Sequence, residues 1–559
     1  MKRLITTVAF ICALAPVTAQ DPLSLLLAEE LNRNMEGLAN EELPPYFISY
    51  RVNEEQTYHI STSFGEIINT MKEPTHSRLL TVNLRVGSHE RDNTHPVGSR
   101  YIYLFGMVDT EGAPLPVDNS PLAIRQVLWS ETMKQLGDAR DQFAMVQTEI
   151  ATKTGTEDSS DDFSHEDPVV YHDPPLSKEL FSLDVEAWET RLKEYSAVFL
   201  QHDSILRGRA NIEYKFERKY FVSTEGSNIS ENRLVCRLFI IAETMADDGM
   251  ELPLYLTYYG RSPDDLPPHE TILSDVEQMA DLLMQLRRVP VADAYAGPAL
   301  LSPESASVFF HEIFGHRIEG HRLKRDSDAQ TFKRKVNEVV LNEELSVYFD
   351  PATATFNGYV LNGAYKFDCE GQPGQRVDIV KDGVLHNFLM SRTPIDSFPN
   401  SNGHGRAEAG KQPVTRQSNM FIETNKPYTE EQLREMLVKE AQRQGKEYGY
   451  YFVETMGGYT FTGRHSPNVF NVTPVLVYKI FVDGREDELV RGVDLIGTPL
   501  AIFANIEAAG DSPGVYNGNC GAESGRVPVS TVSPMLFVSQ IETQRKHRGQ
   551  ERLPILPRP

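Results

Sequence analysis

The sequence predicts an α+β protein: an N-terminal α/β domain of sheet and long helices, then a β-rich, barrel-like or sandwich-like C-terminal domain. Three observations predict it. The 559 residues exceed what one hydrophobic core usually organises, so two large domains are expected. The first half alternates strand-like runs with long stretches of helical apolar period. The second half is strand-rich, with few helical segments and no simple internal repeat. The division is placed near residue 290, giving domains over 20–290 and 291–559.

The N-terminus reads as a signal peptide over 1–19. Lys2 and Arg3 precede an apolar run from Leu4 to Pro16, and Val17-Thr18-Ala19 supplies small residues for cleavage. No later apolar run approaches the roughly 20 residues that span a bilayer. An exported protein, periplasmic or secreted, is therefore expected, with no stable membrane insertion. The 55 Lys and Arg against 79 Asp and Glu give a formal charge of -24, which argues against nucleic acid as a partner. Beyond the signal peptide the cysteines are Cys236, Cys369 and Cys520. Three widely spaced thiols are not a disulfide framework, so at least one is free, ligated or paired outside the chain.

In order, a short helix is expected within 21–44, ended by Pro44-Pro45, followed by strands at YFISYRV, LLTVNLRVG and YIYLFGMV. Ser120-Pro121 opens a long helix towards Lys153. The acidic, proline-punctuated stretch 154–175 reads as an exposed, mobile connector, and His165 and His172 within it as solvated loop residues. A helix near 184–199 and two long strands follow, with Cys236 alternating among large apolar residues as a core cysteine. Ser274 and Glu277 form a capping-box pattern, predicting an amphipathic helix over 275–288. The charged run 322–342 reads as an exposed loop near the site. Beyond it come strand-like segments, a Lys381-Asp382-Gly383 hairpin turn and one helix started by Thr429 and Gln432.

The chemistry concentrates in LLSPESASVFFHEIFGHRIEGHR, 300–322. Ser302-Pro303 starts a helix, and Phe309, Phe310, Ile313 and Phe314 mark it as largely buried. Titratable groups among phenylalanines are costly unless paired or coordinated, which points to a metal. His311 and His316 stand at i and i+5, about 140° apart on an ideal helix. Joint coordination therefore requires the helix to end or bulge between them, and Gly315 is the place for it. Cys520 lies between Gly518 and Asn519 on one side and Gly521 on the other, in NGNCGAESG. Two imidazoles and a thiolate are a catalytic zinc set that leaves a fourth position for water, with Glu312 as the adjacent base. The other reading of the same residues is a hydrogen-bonded histidine pair at a helix end and a small apolar cysteine beside a turn. Glu319 is either an acceptor for a ligating imidazole or a surface carboxylate. His321 either binds substrate or occupies a loop, and the charged run after it favours the loop. Arg416 and Asn419 either hold peptide backbone or serve a turn, and Tyr459, His465 and Asn468 are weak candidates for lining the site.

These fragments resemble the TldD/PmbA family, the modulators of DNA gyrase, and its metal-bearing TldD-like branch in particular. The resemblance rests on GPALLSPESASVFFHEIFGHRIEG (297–320), DCEGQPGQRVDIVKDGVL (368–385), RQSNMFIE (416–423), LVRGVDLIGTP (489–499) and NCGAESGRVPVSTVSPML (519–536), in that order. It implies a two-domain TldD/PmbA-like fold and a zinc-dependent metallopeptidase acting on unfolded or extended peptides. It also implies one Zn2+ per chain on His311, His316 and Cys520, Glu312 as catalytic residue, and a dimer, which the metal set carried by this chain permits to be a homodimer. His321 and Gly521-Ala522-Glu523 depart from the family's pattern, as does the signal peptide. The alternative is a non-catalytic peptide-binding or assembly protein whose metal is structural; an open coordination position separates the two. An extended peptide could be held by addition to a strand edge.

Overall fold

Period-2 alternation explains how the first half of the chain is built. In the computed structural model, which describes residues 21–96, 112–152, 158–324, 328, 330–460, 462, 470–497 and 499–546, an eight-stranded sheet dominates that half. Its strands are β1 (Pro45–Ser63), β2 (Glu66–Thr70), β3 (Thr75–Val86), β4 (Ala113–Pro114), β5 (Val170–His172), β6 (Ile205–Ser223), β7 (Asn228–Met245) and β8 (Glu251–Gly260). The order is β4-β3-β1-β6-β7-β5, with β2 beside β1 and β8 beside β7. Even-numbered residues of β1 point to one face: Ile48, Tyr50 and Val52 enter one apolar cluster, Tyr58 and Ile60 a second. The first cluster is covered by helices α1 (Pro22–Leu38) and α2 (Pro121–Thr152) through Leu27, Leu31, Leu128 and Leu136. The second is covered by α3 (Val185–Ala197) and α4 (His269–Leu286) through Leu192, Val276 and Leu283, and it includes Cys236.

Odd-numbered residues make the opposite face polar, and there the C-terminal half seats. Arg51 donates to the Glu408 carbonyl (3.3 Å), Lys219 to that of Phe367 (2.5 Å) and Arg233 to that of Asn362 (2.6 Å).

The second half contains a closed ring of strands: Tyr295–Leu301, Leu536–Arg545, Val493–Gly497, Phe470–Phe481 and Tyr448–Thr460, with the last pairing back to the first. This is the expected barrel-like element. Against it lies a six-stranded sheet ending in Asn419–Thr424, Gly525–Ser533 and, at its edge, Gly514–Ala522. The 382–383 turn has both residues at positive φ, 49° and 79°, and Thr429 with Gln432 forms the expected capping box before α6, as we number Glu430–Arg443 after the site helix described below.

Three sequence expectations need correction. Helix α4 starts at His269, not near Ser274. Pro268 at its N-cap sets the start, and the Ser274 hydroxyl merely accepts from Gln278 one turn on (3.1 Å). The described part of the 154–175 connector is docked. Asp162 is buried beside His95 (2.7 Å) and Lys324 (3.4 Å). Phe163 lies beneath the Arg85 and Arg392 guanidinium groups, each 3.8 Å from its ring. His165 stacks on His89 and His172 meets the Ser230 hydroxyl. The start of the 322–342 run is also buried: Arg322, Leu323 and Lys324 form the end of a 3₁₀ turn, Gly320–Lys324. The expected signal peptide over 1–19, the YIYLFGMV strand, His465 and Asn468 lie outside the described residues.

Candidate metal centre

The site begins where the barrel strand Tyr295–Leu301 turns into helix α5, Pro303–Ile313. Ser302 caps it by accepting from the Ser305 N–H (3.1 Å), and Pro303 occupies the first turn. Its apolar face is fixed by edge-on aromatic contacts, Phe309 with Phe470 at 5.7 Å and Phe310 with Phe503 at 5.4 Å between centroids. The helix ends at Ile313 and a 3₁₀ turn, Gly315–Arg317, follows. A Cβ on Gly315 would fall on the buried side-chain amide of Gln417, so any larger residue there must displace that amide. The required break between His311 and His316 is thus present at the expected residue.

The break brings the two imidazoles to 5.0 Å between centroids. Cys520, near the end of the edge strand Gly514–Ala522, approaches from the other side, its Sγ 3.4 Å from His316 Nε2. Donor atoms of His311, His316 and Cys520 all lie within 4.8 Å of one another, and no other such cluster occurs among the described residues. His316 and Cys520 are buried. Burial disfavours the Cys520 thiolate, but the two histidines overcome it and hold the thiol well below its ordinary range. Burial likewise opposes protonation of His316, yet Cys520 and Glu319 raise it well above the usual imidazole value. Two nitrogens and a thiolate, brought together without intervening side chains, fit a zinc-type divalent ion. This ligand set departs from the HExxH spacing, which would put both histidines on one helical face.

The cluster opens on a cavity of about 490 Å³ whose wall includes His311, Glu312, His316 and Cys520. Gly458 leaves room for Glu312, whose Cγ a Cβ there would crowd at 2.8 Å. Burial pushes the Glu312 carboxyl up, with His311 and His316 opposing. A second cavity of about 1040 Å³ shares Met456, Gly458, Tyr516, Gly518, Asn519 and Gly521 with the first, so the two adjoin. Glu304 and Glu454 line the larger one, and burial together with Glu454 pushes Glu304 up to about 8.

The neighbouring residues resolve several open readings. Glu319 is fully buried and not a surface carboxylate: it meets His316 Nδ1 (3.3 Å) and accepts from Arg322 Nε (2.8 Å). Despite burial, Arg322 and His316 bring it down to about 2. His321 is no loop residue; it is buried against Glu523 (2.7 Å), and burial lowers its affinity for a proton. Arg416 takes the turn reading, at the hairpin that follows Cys520. Its guanidinium is buried and donates to the carbonyls of Cys520 (2.6 Å) and Gly525 (2.9 Å). Asn419 donates to the Asp350 and Thr353 carbonyls, away from the cluster. Tyr459 is exposed and lines the smaller cavity. Sequence reasoning did not find Gln417, Arg317 or the Arg322–Glu523 pair; the only local signal was an unusual density of Arg and His after a buried helix.

Among the described residues no helix is long and apolar enough to cross a membrane. A family model described as the PmbA/TldA metallopeptidase C-terminal domain matches residues 295–545, which contain the whole cluster. The chain is 32% identical over 232 residues to a metalloprotease of Methanocaldococcus jannaschii, covering 41% of this chain and 47% of that one. It is 32% identical over 229 residues to a metalloprotease of Archaeoglobus fulgidus, covering 41% and 48%. The matched segment thus spans about half the length of these relatives. In fold, the chain is similar to TldE from Thermococcus kodakarensis, with a TM-score of 0.59 at 14% identity over 94% of this chain and all of that one. The closed strand ring and the cluster both lie within the matched segment, and over it the chain is similar to the TldD/PmbA metallopeptidases.

Proposed function

We propose that this chain is a zinc-dependent metallopeptidase that hydrolyses unfolded or extended peptides, with His311, His316 and Cys520 holding one Zn2+ and Glu312 as the general base. The observation that carries the proposal is the opening of the three-donor cluster and the Glu312 carboxylate onto one peptide-sized cavity. A zinc ion held there supplies a Lewis acid for the scissile carbonyl and for water. The protein's own residues do the rest. Glu312 takes a proton from water on its carboxylate oxygen and returns it to the leaving amine. Gly514–Ala522, at the edge of its sheet and beside both cavities, offers main chain for an extended substrate to pair with. A bound peptide inhibitor held by side-chain contacts alone would count against that last element. The metalloprotease names of the two archaeal relatives support the activity. The proposal extends to a homodimer working outside the cytoplasm, on the strength of the family resemblance and the signal-like N-terminus.

A second reading is favoured by one observation: His316 and Cys520 are buried and His316 is braced by the Glu319–Arg322 pair, as in a site whose ion stabilises structure. On that reading the chain is a peptide-binding or assembly protein without catalysis. Metal analysis of the purified chain, followed by hydrolysis of an unfolded casein-type peptide by wild type and Glu312→Gln, separates them. Activity that requires both zinc and Glu312 supports the peptidase. A zinc-loaded protein with equal activity in both forms defeats the mechanism, and one that binds peptide without cleaving it gives the second reading.

A further inference from the structure

We propose that Glu523 is a positioning residue for the metal site, clasping the His316 segment to the hairpin that carries Cys520. The proposal rests on the metal-binding part of the function above and not on peptide hydrolysis. Glu523 sits with Ser524 in the two-residue turn between Gly514–Ala522 and Gly525–Ser533, where Ala522 pairs with Gly525. Two residues, Gly521 and Ala522, separate it from Cys520. One carboxylate oxygen meets His321 Nε2 (2.7 Å) and the other accepts from Arg322 Nη2 (3.0 Å). Arg322 then turns its Nε to Glu319 (2.8 Å), and Glu319 meets His316 Nδ1 (3.3 Å). With the 3.4 Å approach of Cys520 Sγ to His316 Nε2, the contacts close into a ring.

The ring matters because the two donors it joins are 204 residues apart in sequence and lie on separate elements. The 3₁₀ turn with His316 packs under the barrel, whereas Cys520 rides on an edge strand with a neighbour on one side only. An edge strand held by backbone pairing on one side can shift outward unless something grips its end. Arg416 donates to the carbonyls of Cys520 and Gly525 and to the Ser524 hydroxyl. Glu523 grips the strand end towards His316. It also fixes direction: with Glu319 on Nδ1, the His316 ring presents Nε2 to the ion position. Within the ring the Arg322 guanidinium stands between the two carboxylates, Glu319 and Glu523, and pairs with both. Glu523 is the member that can be changed without excavating the core. Its side chain is 42% exposed and borders the cavity, whereas Glu319 is fully buried.

The test measures zinc affinity by chelator competition, and the thiolate-to-cobalt charge-transfer band after Co2+ loading, in the full chain. Wild type, Glu523→Ala and Glu523→Gln are compared, with far-UV circular dichroism as the check on folding. Loss of such an outer contact is expected to weaken zinc binding about 10- to 100-fold in Glu523→Ala and to shift or weaken the cobalt band. Glu523→Gln keeps an acceptor for Arg322 and is expected to fall between the two. If Glu523→Ala fails to fold, the Gln variant decides alone. Unchanged zinc affinity and an unchanged cobalt band in a folded variant overturn the proposal. A wild type that binds neither metal overturns the metal site itself and this inference with it. Metal binding without peptide hydrolysis refutes only the peptidase reading.

Discussion

Gly315→Ala is the sharpest probe of how this site is built. The added methyl falls on the Oε1, Cδ and Nε2 atoms of Gln417. Gln417 is 1% exposed and its amide points at the His311 carbonyl (3.5 Å), so it has little room to withdraw. Overpacking of this kind costs about 1–3 kcal/mol. If the C-terminal half melts as a unit of about 250 residues, that corresponds to a Tm lower by about 2–12 °C. The strain lies between the two histidines, so zinc affinity should fall as well, by about tenfold on the scale of other supporting contacts. Scanning calorimetry and chelator competition measure the two effects. The decisive comparison is the double variant Gly315→Ala/Gln417→Ala, in which the methyl meets open space. It should be less destabilised than the sum of the single changes, by a coupling of about 0.5–3 kcal/mol. Strictly additive costs, or a Gly315→Ala protein with wild-type Tm and zinc affinity, would refute the argument that glycine is there for close approach.

Three further outcomes are expected. His404 is fully buried, and burial, with Arg406 adding to it, lowers its pKa to about 3 although the Asn402 carbonyl opposes. The unfolded chain binds that proton near pH 6.5, so the neutral ring's contribution is whole above 6.5. It is lost as pH falls towards 3, at up to about 1.4 kcal/mol per unit. Urea melts between pH 7 and 4 should show this slope, and His404→Asn should flatten it. Alkylation mapped by mass spectrometry should modify Cys520 in chelator-treated protein and spare it once zinc is added, since Cys520 lines the cavity; Cys236, buried in the N-terminal sheet, should stay unmodified in both. Modification of Cys520 that zinc does not slow would argue against its being a ligand. Phe310→Ala, which removes the ring packed on Phe503, should cost about 3–5 kcal/mol and weaken zinc binding together with stability; a loss of stability at full zinc affinity would show that the helix core and the site are uncoupled.

Local patterns carried much of this structure into the sequence. Ser302-Pro303 marked the start of the site helix, and the i,i+5 spacing of His311 and His316 dictated a break that the structure puts beside Gly315. The alternation along β1 and the Thr429–Gln432 box were equally readable. What escaped were features whose partner lies far along the chain. The 154–175 stretch looked solvated because its neutralising cations are remote: Arg392 donates to the Ser164 carbonyl across 228 residues. The start of α4 was misplaced because a Ser–Glu spacing resembles a cap wherever it occurs, and Pro268 decides which one is used. His321 and Arg322 read as surface because Glu523, which pairs with both, is about 200 residues away.

Breaking a buried helix in mid-motif should be unfavourable, since the last carbonyls lose their intrahelical donors in a place water does not reach. Arg317 answers that cost. Its Nη1 donates to the carbonyls of Glu312 (2.8 Å) and Ile313 (3.2 Å), and its Nη2 to the Thr460 hydroxyl (2.8 Å). The guanidinium also sits at the negative end of the helix, where a cation is favoured. Burial nonetheless weakens its hold on the proton, to a pKa of about 10, with Glu312 opposing. The residue after the second histidine therefore stabilises the break that lets that histidine turn towards the first. It does so from the main chain of Glu312 itself, so the backbone of the proposed base and the break that creates the donor pair are held by one side chain. A lysine there would keep the charge but not the fork that spans two carbonyls and a hydroxyl. The motif's unusual spacing and its arginine are thus parts of one device, which an HExxH helix, unbroken, does not need.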